Sequence, residues 1–174
     1  MPDEPAAYFI TIRTYGTWLA GDARGSVDDD HRTVGEPFKP RDDFRRAYQE
    51  RQLKTAPVEI TATTRPLIES AMEEVCEYRS WHLFALNVRT NHIHIVISGS
   101  KEPELIMRDL KAYSTRALRK AGELGPNAPM WAAHGSTVYA WDDREVEACV
   151  GYTMDRQGPD LPGSEWRKRI DRRS

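Results

Sequence analysis

Residues 8–14, Tyr-Phe-Ile-Thr-Ile-Arg-Thr, place β-branched and aromatic side chains in alternation with polar ones and run into Tyr15-Gly16, so they predict a strand that ends in a turn. From Arg65 to Arg79 the period changes. Ile68, Ala71, Met72, Val75 and Cys76 recur at helical spacing, and Pro66 is tolerated in a first turn. Trp81 to Val88 and His92 to Ser98 return to strand chemistry, joined only by Arg89-Thr90-Asn91 and closed by Gly99, which predicts an antiparallel hairpin. After Pro103, Ile106, Leu110, Tyr113 and Ala117 follow steps of four, three and four, so a second long helix is expected to about Lys120. Ser136 to Trp141 reads as a fourth strand. Asp142 or Asp143 then caps a third helix to about Asp155, and Gly158, Pro159, Pro162 and Gly163 end it.

The resulting order, strand, helix, strand, strand, helix, strand, is the split βαβ pattern of an α+β, ferredoxin-like antiparallel sheet with helices on one face and the other face open. Residues 1–174 are expected to be a single domain. Residues 15–58 are a long Gly-, Pro- and Asp-rich insertion after strand 1, with a short charged helical stretch near 41–52, and residues 159–174 are a basic tail. A connection as long as this insertion is usually functional or mobile in a compact domain.

Composition narrows the classes. The chain has 174 residues, 39% hydrophobic and 30% charged, which excludes wholesale disorder. No apolar run approaches the roughly 18 residues of a membrane span, and Met1-Pro-Asp-Glu-Pro lacks the basic start of a signal peptide, so a cytoplasmic protein with no membrane partner is expected. Cys76 and Cys149 are neither clustered nor framed as a disulfide or zinc motif and read as reduced packing residues. The net charge of −2 hides a gradient: residues 1–87 carry 11 basic and 15 acidic groups, residues 88–174 carry 14 and 12. Two basic blocks stand out, Arg108, Lys111, Arg116, Arg119 and Lys120, then Arg167, Lys168, Arg169, Arg172 and Arg173. Local patches matter more for phosphate contact than the total, although such blocks are also what a solvated face looks like.

The stretch Thr90-Asn91-His92-Ile93-His94-Ile95-Val96-Ile97 carries the chemistry. Residues two apart on a strand share a face, so His92 and His94 stand side by side while the isoleucines point to the core. Two imidazoles so placed can share a metal ion.

Asn-His-Ile-His followed by apolar residues resembles the histidine–hydrophobic–histidine (HUH) motif of single-tyrosine transposases, in particular the REP-associated tyrosine transposases and their insertion-sequence relatives. The resemblance covers most of the chain. Thr14-Tyr-Gly-Thr-Trp-Leu-Ala-Gly-Asp-Ala-Arg-Gly25 looks like the start of one subgroup, Lys111-Ala-Tyr-Ser-Thr-Arg-Ala-Leu118 resembles the helix after the motif, and Met130 to Asp142 resembles the strand before the catalytic helix. It implies the HUH endonuclease fold and a metal-dependent enzyme that nicks and rejoins single-stranded DNA, usually near a hairpin, through a 5′-phosphotyrosine. Single-stranded or hairpin DNA is the implied partner, and a homodimer is one assembly the sequence leaves open. The alternatives are a domesticated relative that binds hairpin nucleic acid without cutting it and an unrelated small metalloprotein.

The implied cofactor is a divalent ion; Mg²⁺ prefers oxygen ligands, so two histidines invite Mn²⁺ as well, and the sequence does not choose. Tyr152 is the expected nucleophile, because it lies on the flank of a stripe formed by Val146, Cys149, Val150 and Thr153, whereas Tyr113 repeats with its helix's apolar positions. The family commonly places a third ligand, often Gln, one turn after the tyrosine. Here Arg156 is four residues on, and Gln157, five on, would be turned about 140° away by a regular helix. Gln157 can therefore ligate only if the helix loosens before Gly158, and Asp155 is the alternative. DNA contacts are expected from Arg108, Lys111, Arg116 and Lys120, from Trp18 and Arg24 in the insertion, where Tyr15, His31 and Arg32 add rings and cations, and from His134 and Arg156. His82 starts a strand and is expected at the surface.

Overall fold

The computed structural model describes residues 3–17 and 43–173. In those residues β1 (Ala7–Arg13) is followed by α1 (Asp43–Arg51), α2 (Thr64–Arg79), β2 (His82–Val88), β3 (His92–Ser98), α3 (Pro103–Lys120), β4 (Ser136–Ala140), α4 (Asp143–Asp155) and α5 (Trp166–Arg173). The strands form one antiparallel sheet in the order β2-β3-β1-β4, the ferredoxin-like arrangement expected from the alternation of periods.

Register decides what each face holds. Ile10 lies opposite Ile95, Ile12 opposite Ile93 and Tyr8 opposite Ile97. The five isoleucines are fully buried and form one core with Ile68, Met72 and Val75 of α2 and Ile106 and Leu110 of α3. The alternate positions pair Phe9 with Val96, Thr11 with His94 and Arg13 with His92. This second face is not left open: α4 lies across it, turning Val146, Cys149 and Thr153 inward and bringing Tyr152 edge-on to Phe9. The split βαβ pattern assigns α2 and α3 to a face but says nothing of a helix that follows the last strand.

The helix ends follow local chemistry. Pro103 opens α3, where a missing N–H costs nothing. Asp142, the N-cap, accepts a hydrogen bond from the Glu145 N–H at 2.8 Å while Glu145 Oε2 accepts from the Trp141 N–H, one residue before the cap, at 2.7 Å, and the two bonds fix the start of α4 just after β4.

The residues read as a basic tail contain a helix, α5, that is docked and not free. Trp166 is buried in the core, and the fully buried Glu69 of α2 accepts hydrogen bonds from Ser164 Oγ and from the N–H groups of Glu165 and Trp166. Arg65, one turn before, donates to the carbonyls of Val88, Ile60 and Pro162. In Trp-Arg-Lys-Arg-Ile-Asp-Arg-Arg the two apolar residues, one turn apart, are too few for a periodic signal, so charge dominates its reading.

Candidate metal and nucleophile centre

The centre grows from two rows across the α4 face of the sheet. One row runs Asn87, His94, Thr11, Ser136; the next pairs His92 with Arg13 and is closed on the β2 side by the Arg89 N–H, which donates to the His92 carbonyl at 2.9 Å. The His92 and His94 ring centroids are 4.7 Å apart. His94 is only 4% exposed, stacked on Phe9 at 5.2 Å. Its Nδ1 lies 3.0 Å from Thr11 Oγ1. Burial, and after it the neighbouring His92, pushes its pKa from 6.5 down to about 3, so it is neutral at physiological pH. His92 Nδ1 donates to Asn91 Oδ1 at 2.7 Å, which fixes the tautomer that keeps Nε2 as a lone-pair donor.

Tyr152 stands over this pair. Its ring centroid is 5.6 Å from that of His94 and 5.7 Å from that of Phe9, and at 38% exposure its outer edge meets solvent. Asn87 Nδ2 donates to the Thr153 carbonyl at 2.8 Å, which ties this turn of α4 to the row that holds His94.

The helix loosens before Gly158. α4 stops at Asp155, Arg156 leaves helical geometry, and Gly158 has φ +83°, a left-handed turn. Gln157 folds back so that Nε2 donates to the Tyr152 carbonyl at 3.2 Å, and its side chain lies near enough to His94 to favour that ring's protonation, against the larger effect of burial. Asp155, the other candidate, points away and pairs with Arg167 at 3.1 Å.

The donors gathered here are two imidazole nitrogens and one amide oxygen, a set that suits a divalent ion of mixed nitrogen and oxygen preference. Thr11 Oγ1 can accept the Nδ1 proton of His94, which leaves Nε2 as a lone pair able to face an ion. Among the described residues no group of three or more His, Cys, Asp and Glu side chains could hold a metal, so the amide is needed to complete a three-ligand set.

Among the described residues, the basic side chains of α3 expected to contact DNA do not gather at this centre. Arg108, Lys111, Arg116 and Arg119 line, with Ala112 and Thr115, a groove of about 460 Å³ along α3, on the isoleucine side of the sheet. Lys111 is half-buried, its pKa lowered by burial, and Nζ donates to the Ala132 carbonyl at 3.0 Å. Arg116 lies over the Tyr113 ring at 4.8 Å, Arg108 pairs with Asp109 at 3.1 Å, and Lys120 is exposed. One path joins groove and centre: Ala132 also donates its N–H to the Arg13 carbonyl, and Arg13 is paired with His92. His134 is exposed before β4, Arg156 is exposed at the end of α4, and His82 is exposed against Phe84. Trp18, Arg24, His31 and Arg32 lie outside the described residues.

Sequence reasoning overlooked Thr11, Asn91, Asn87 and Arg89. Thr11 was within reach, since period two puts it with Phe9 and Arg13, but only the strand register sets it against His94.

The structure is thus a ferredoxin-like sheet with paired histidines on a central strand and a tyrosine-bearing helix across them. The family model described as "Transposase IS200 like" matches residues 53–137, from the end of the insertion through the histidine pair to the start of β4, so that span is similar to the IS200-like transposases. The solved structure of a REP-associated tyrosine transposase bound to a REP hairpin is similar over 97% of this chain and 81% of that one, with a TM-score of 0.51 at 12% identity, a likeness of fold. No curated protein matches the chain. No helix among the described residues is long and apolar enough to cross a membrane.

Proposed function

We infer that the chain is a single-stranded DNA endonuclease and strand transferase that works through a 5′-phosphotyrosine on Tyr152, at repeats able to form hairpins. The observation that carries this reading is the meeting of Tyr152, His94, His92 and Gln157 in one chain on one face of the sheet. His92, His94 and Gln157 would hold one Mg²⁺ or Mn²⁺ ion, which when bound polarises the scissile phosphate and neutralises developing charge.

The chain's own groups do the rest. The Tyr152 phenolic oxygen attacks phosphorus, the bond from phosphorus to the 3′ oxygen breaks, and the proton given up by the phenol balances the one gained by the leaving 3′-OH. Rejoining runs the same step in reverse with a 3′-OH as nucleophile. His94 is not the base for that proton, because an imidazole whose pKa is about 3 holds protons too weakly; its part is to offer a lone pair. Asn91 and Thr11 orient the two rings, the outer-shell contact that ligating histidines generally need. The α3 groove with Arg108, Lys111 and Arg116 supplies phosphate contacts, as do Lys120 at the exposed end of α3 and His134 and Arg156 near β4 and α4, and Trp18 and Arg24 add stacking and charge. We assign the protein to the cytoplasm, as one domain over residues 1–174, with DNA as partner and a homodimer as an assembly to be measured.

The hairpin bound by the structural neighbour supports a hairpin substrate and also admits the second reading, a protein that binds such DNA without cutting it. Labelled hairpin oligonucleotides with single-stranded flanks, incubated with Mg²⁺ or Mn²⁺, decide between them. Mass spectrometry should find the adduct on the peptide holding Tyr152, and Tyr152→Phe should bind the same DNA and form none. An adduct on another tyrosine reverses the assignment, and no adduct under either ion selects the binding-only reading.

A further inference from the structure

Gln157 folds back toward Tyr152 and lies near His94 where the chain leaves helical geometry after Asp155, and that departure has its own scaffolding. Arg89, in the β2–β3 connection, donates from Nη1 to the Pro159 carbonyl at 2.9 Å, while its backbone N–H holds the His92 carbonyl. A single residue thus links the strand end that carries His92 to the turn two residues beyond Gln157. On the other side of the turn Arg167 donates to the Met154 carbonyl and pairs with Asp155 and Asp160. Between these anchors Gly158 takes the left-handed conformation that reverses the chain.

We propose that Arg89 is a positioning residue: by holding the Pro159 carbonyl it sets the turn that delivers the Gln157 side chain to His94. The inference rests on the reading of Gln157 as third ligand, and it goes beyond it by naming what makes a ligand five residues after the tyrosine workable. A regular helix would aim that side chain about 140° from Tyr152, so the correct aim must come from outside the helix. Arg89 has the bond and the location to supply it.

Charge separates this role from a purely electrostatic one. A guanidinium near a divalent ion repels it, so removing Arg89 would tighten metal binding if charge were its only effect. Removing a positioning residue weakens it instead. Calorimetric titration of the full chain with Mn²⁺, without DNA, should show Arg89→Gln binding about 10-fold more weakly, within the range typical of outer-shell partners. Gln157→Ala should lose a similar factor, and the double variant should bind no more weakly than Gln157→Ala alone, since the two changes cut the same link. Gly158→Ala, which strains the turn without changing charge, should weaken binding in the same direction and serves if Arg89→Gln fails to fold.

Affinity in Arg89→Gln equal to or tighter than that of the parent chain overturns the proposal. So does a loss that persists in full in the Gln157→Ala background. If Gln157→Ala leaves Mn²⁺ affinity unchanged, the third-ligand reading fails; the positioning claim is then judged in the metal-free chain by the His94 imidazole nitrogen resonances, which Arg89→Gln should move to their Gln157→Ala positions, and their staying at parent values overturns it.

Discussion

The two faces of the sheet are made by the same residues of sequence, one position out of step, and they do opposite things. On the α2 and α3 side, Ile10, Ile12, Ile93, Ile95 and Ile97 are fully buried against aliphatic neighbours. On the α4 side, Phe9, Thr11, Arg13, His92 and His94 meet a helix whose tyrosine stays partly in water. One face supplies burial that depends on area alone; the other supplies orientation, through hydrogen bonds that depend on which atom faces which. Because side chains alternate strictly along a strand, the chain can hold a polar centre without interrupting its core. A rigid apolar face beneath is also what keeps two imidazoles at a fixed spacing.

The largest test of this division acts on the polar face. Replacing His92 and His94 together by alanine should reduce metal-dependent DNA cleavage to background, read by gel assay across Mg²⁺ and Mn²⁺. The fold should survive with a modest loss of stability, about 1–3 kcal/mol, because His94 is packed on Phe9 and bonded to Thr11 and is not a bare surface side chain. Full cleavage in the double variant would remove the histidine pair from the chemistry.

Ile95→Ala makes the reciprocal cut. Ile95 sits between His94 and Val96 but faces the other way, so its truncation should cost about 2–5 kcal/mol by denaturant unfolding. The folded fraction should keep its Mn²⁺ affinity near the parent value. A fall in affinity as large as the histidine variants produce would mean that the faces are not separable.

The histidine face should also answer to pH where the isoleucine face does not. The His94 pKa, about 3 in the folded chain against an ordinary 6.5, leaves the ring neutral while the unfolded chain takes up that proton below 6.5. The unfolded state binds more protons through this window, so the stability His94 contributes is fully present above about pH 6.5. It is lost as pH falls toward 3, at on the order of 1.4 kcal/mol per pH unit. Unfolding measured from pH 7 to 4 should show this slope in the parent chain and a shallower one in His94→Gln.

How much of this could be read from the sequence differs in the same way between the faces. The strands, the two long helices and the pairing of His92 with His94 follow from periods of two and 3.6, which are local. Gln157 could be named only on the condition that the helix loosens, because the turn that follows it is held by Arg89, 70 residues from the Pro159 carbonyl it bonds, and by a left-handed glycine. The docking of α5 escaped because Glu69, a charged residue in a helix read by its apolar stripe, turns inward to cap it. Contacts that orient are long-range and specific, whereas contacts that bury are repeated and legible.

The smallest expected effect concerns the tyrosine on the wrong side. Tyr113 packs half-buried against the core from α3, beneath Arg116, and so belongs to the isoleucine face, with the whole sheet between it and the histidines. Tyr152 belongs to α4 and lies against His94. Removing the Tyr113 hydroxyl takes nothing from the polar face and leaves the ring that Arg116 covers. Tyr113→Phe should therefore change stability by no more than about 1 kcal/mol and leave the yield of covalent DNA adduct at the parent level. Adduct yield falling in Tyr113→Phe as it does in Tyr152→Phe would place a reacting group on the face built for packing, and the division between the two faces would not hold.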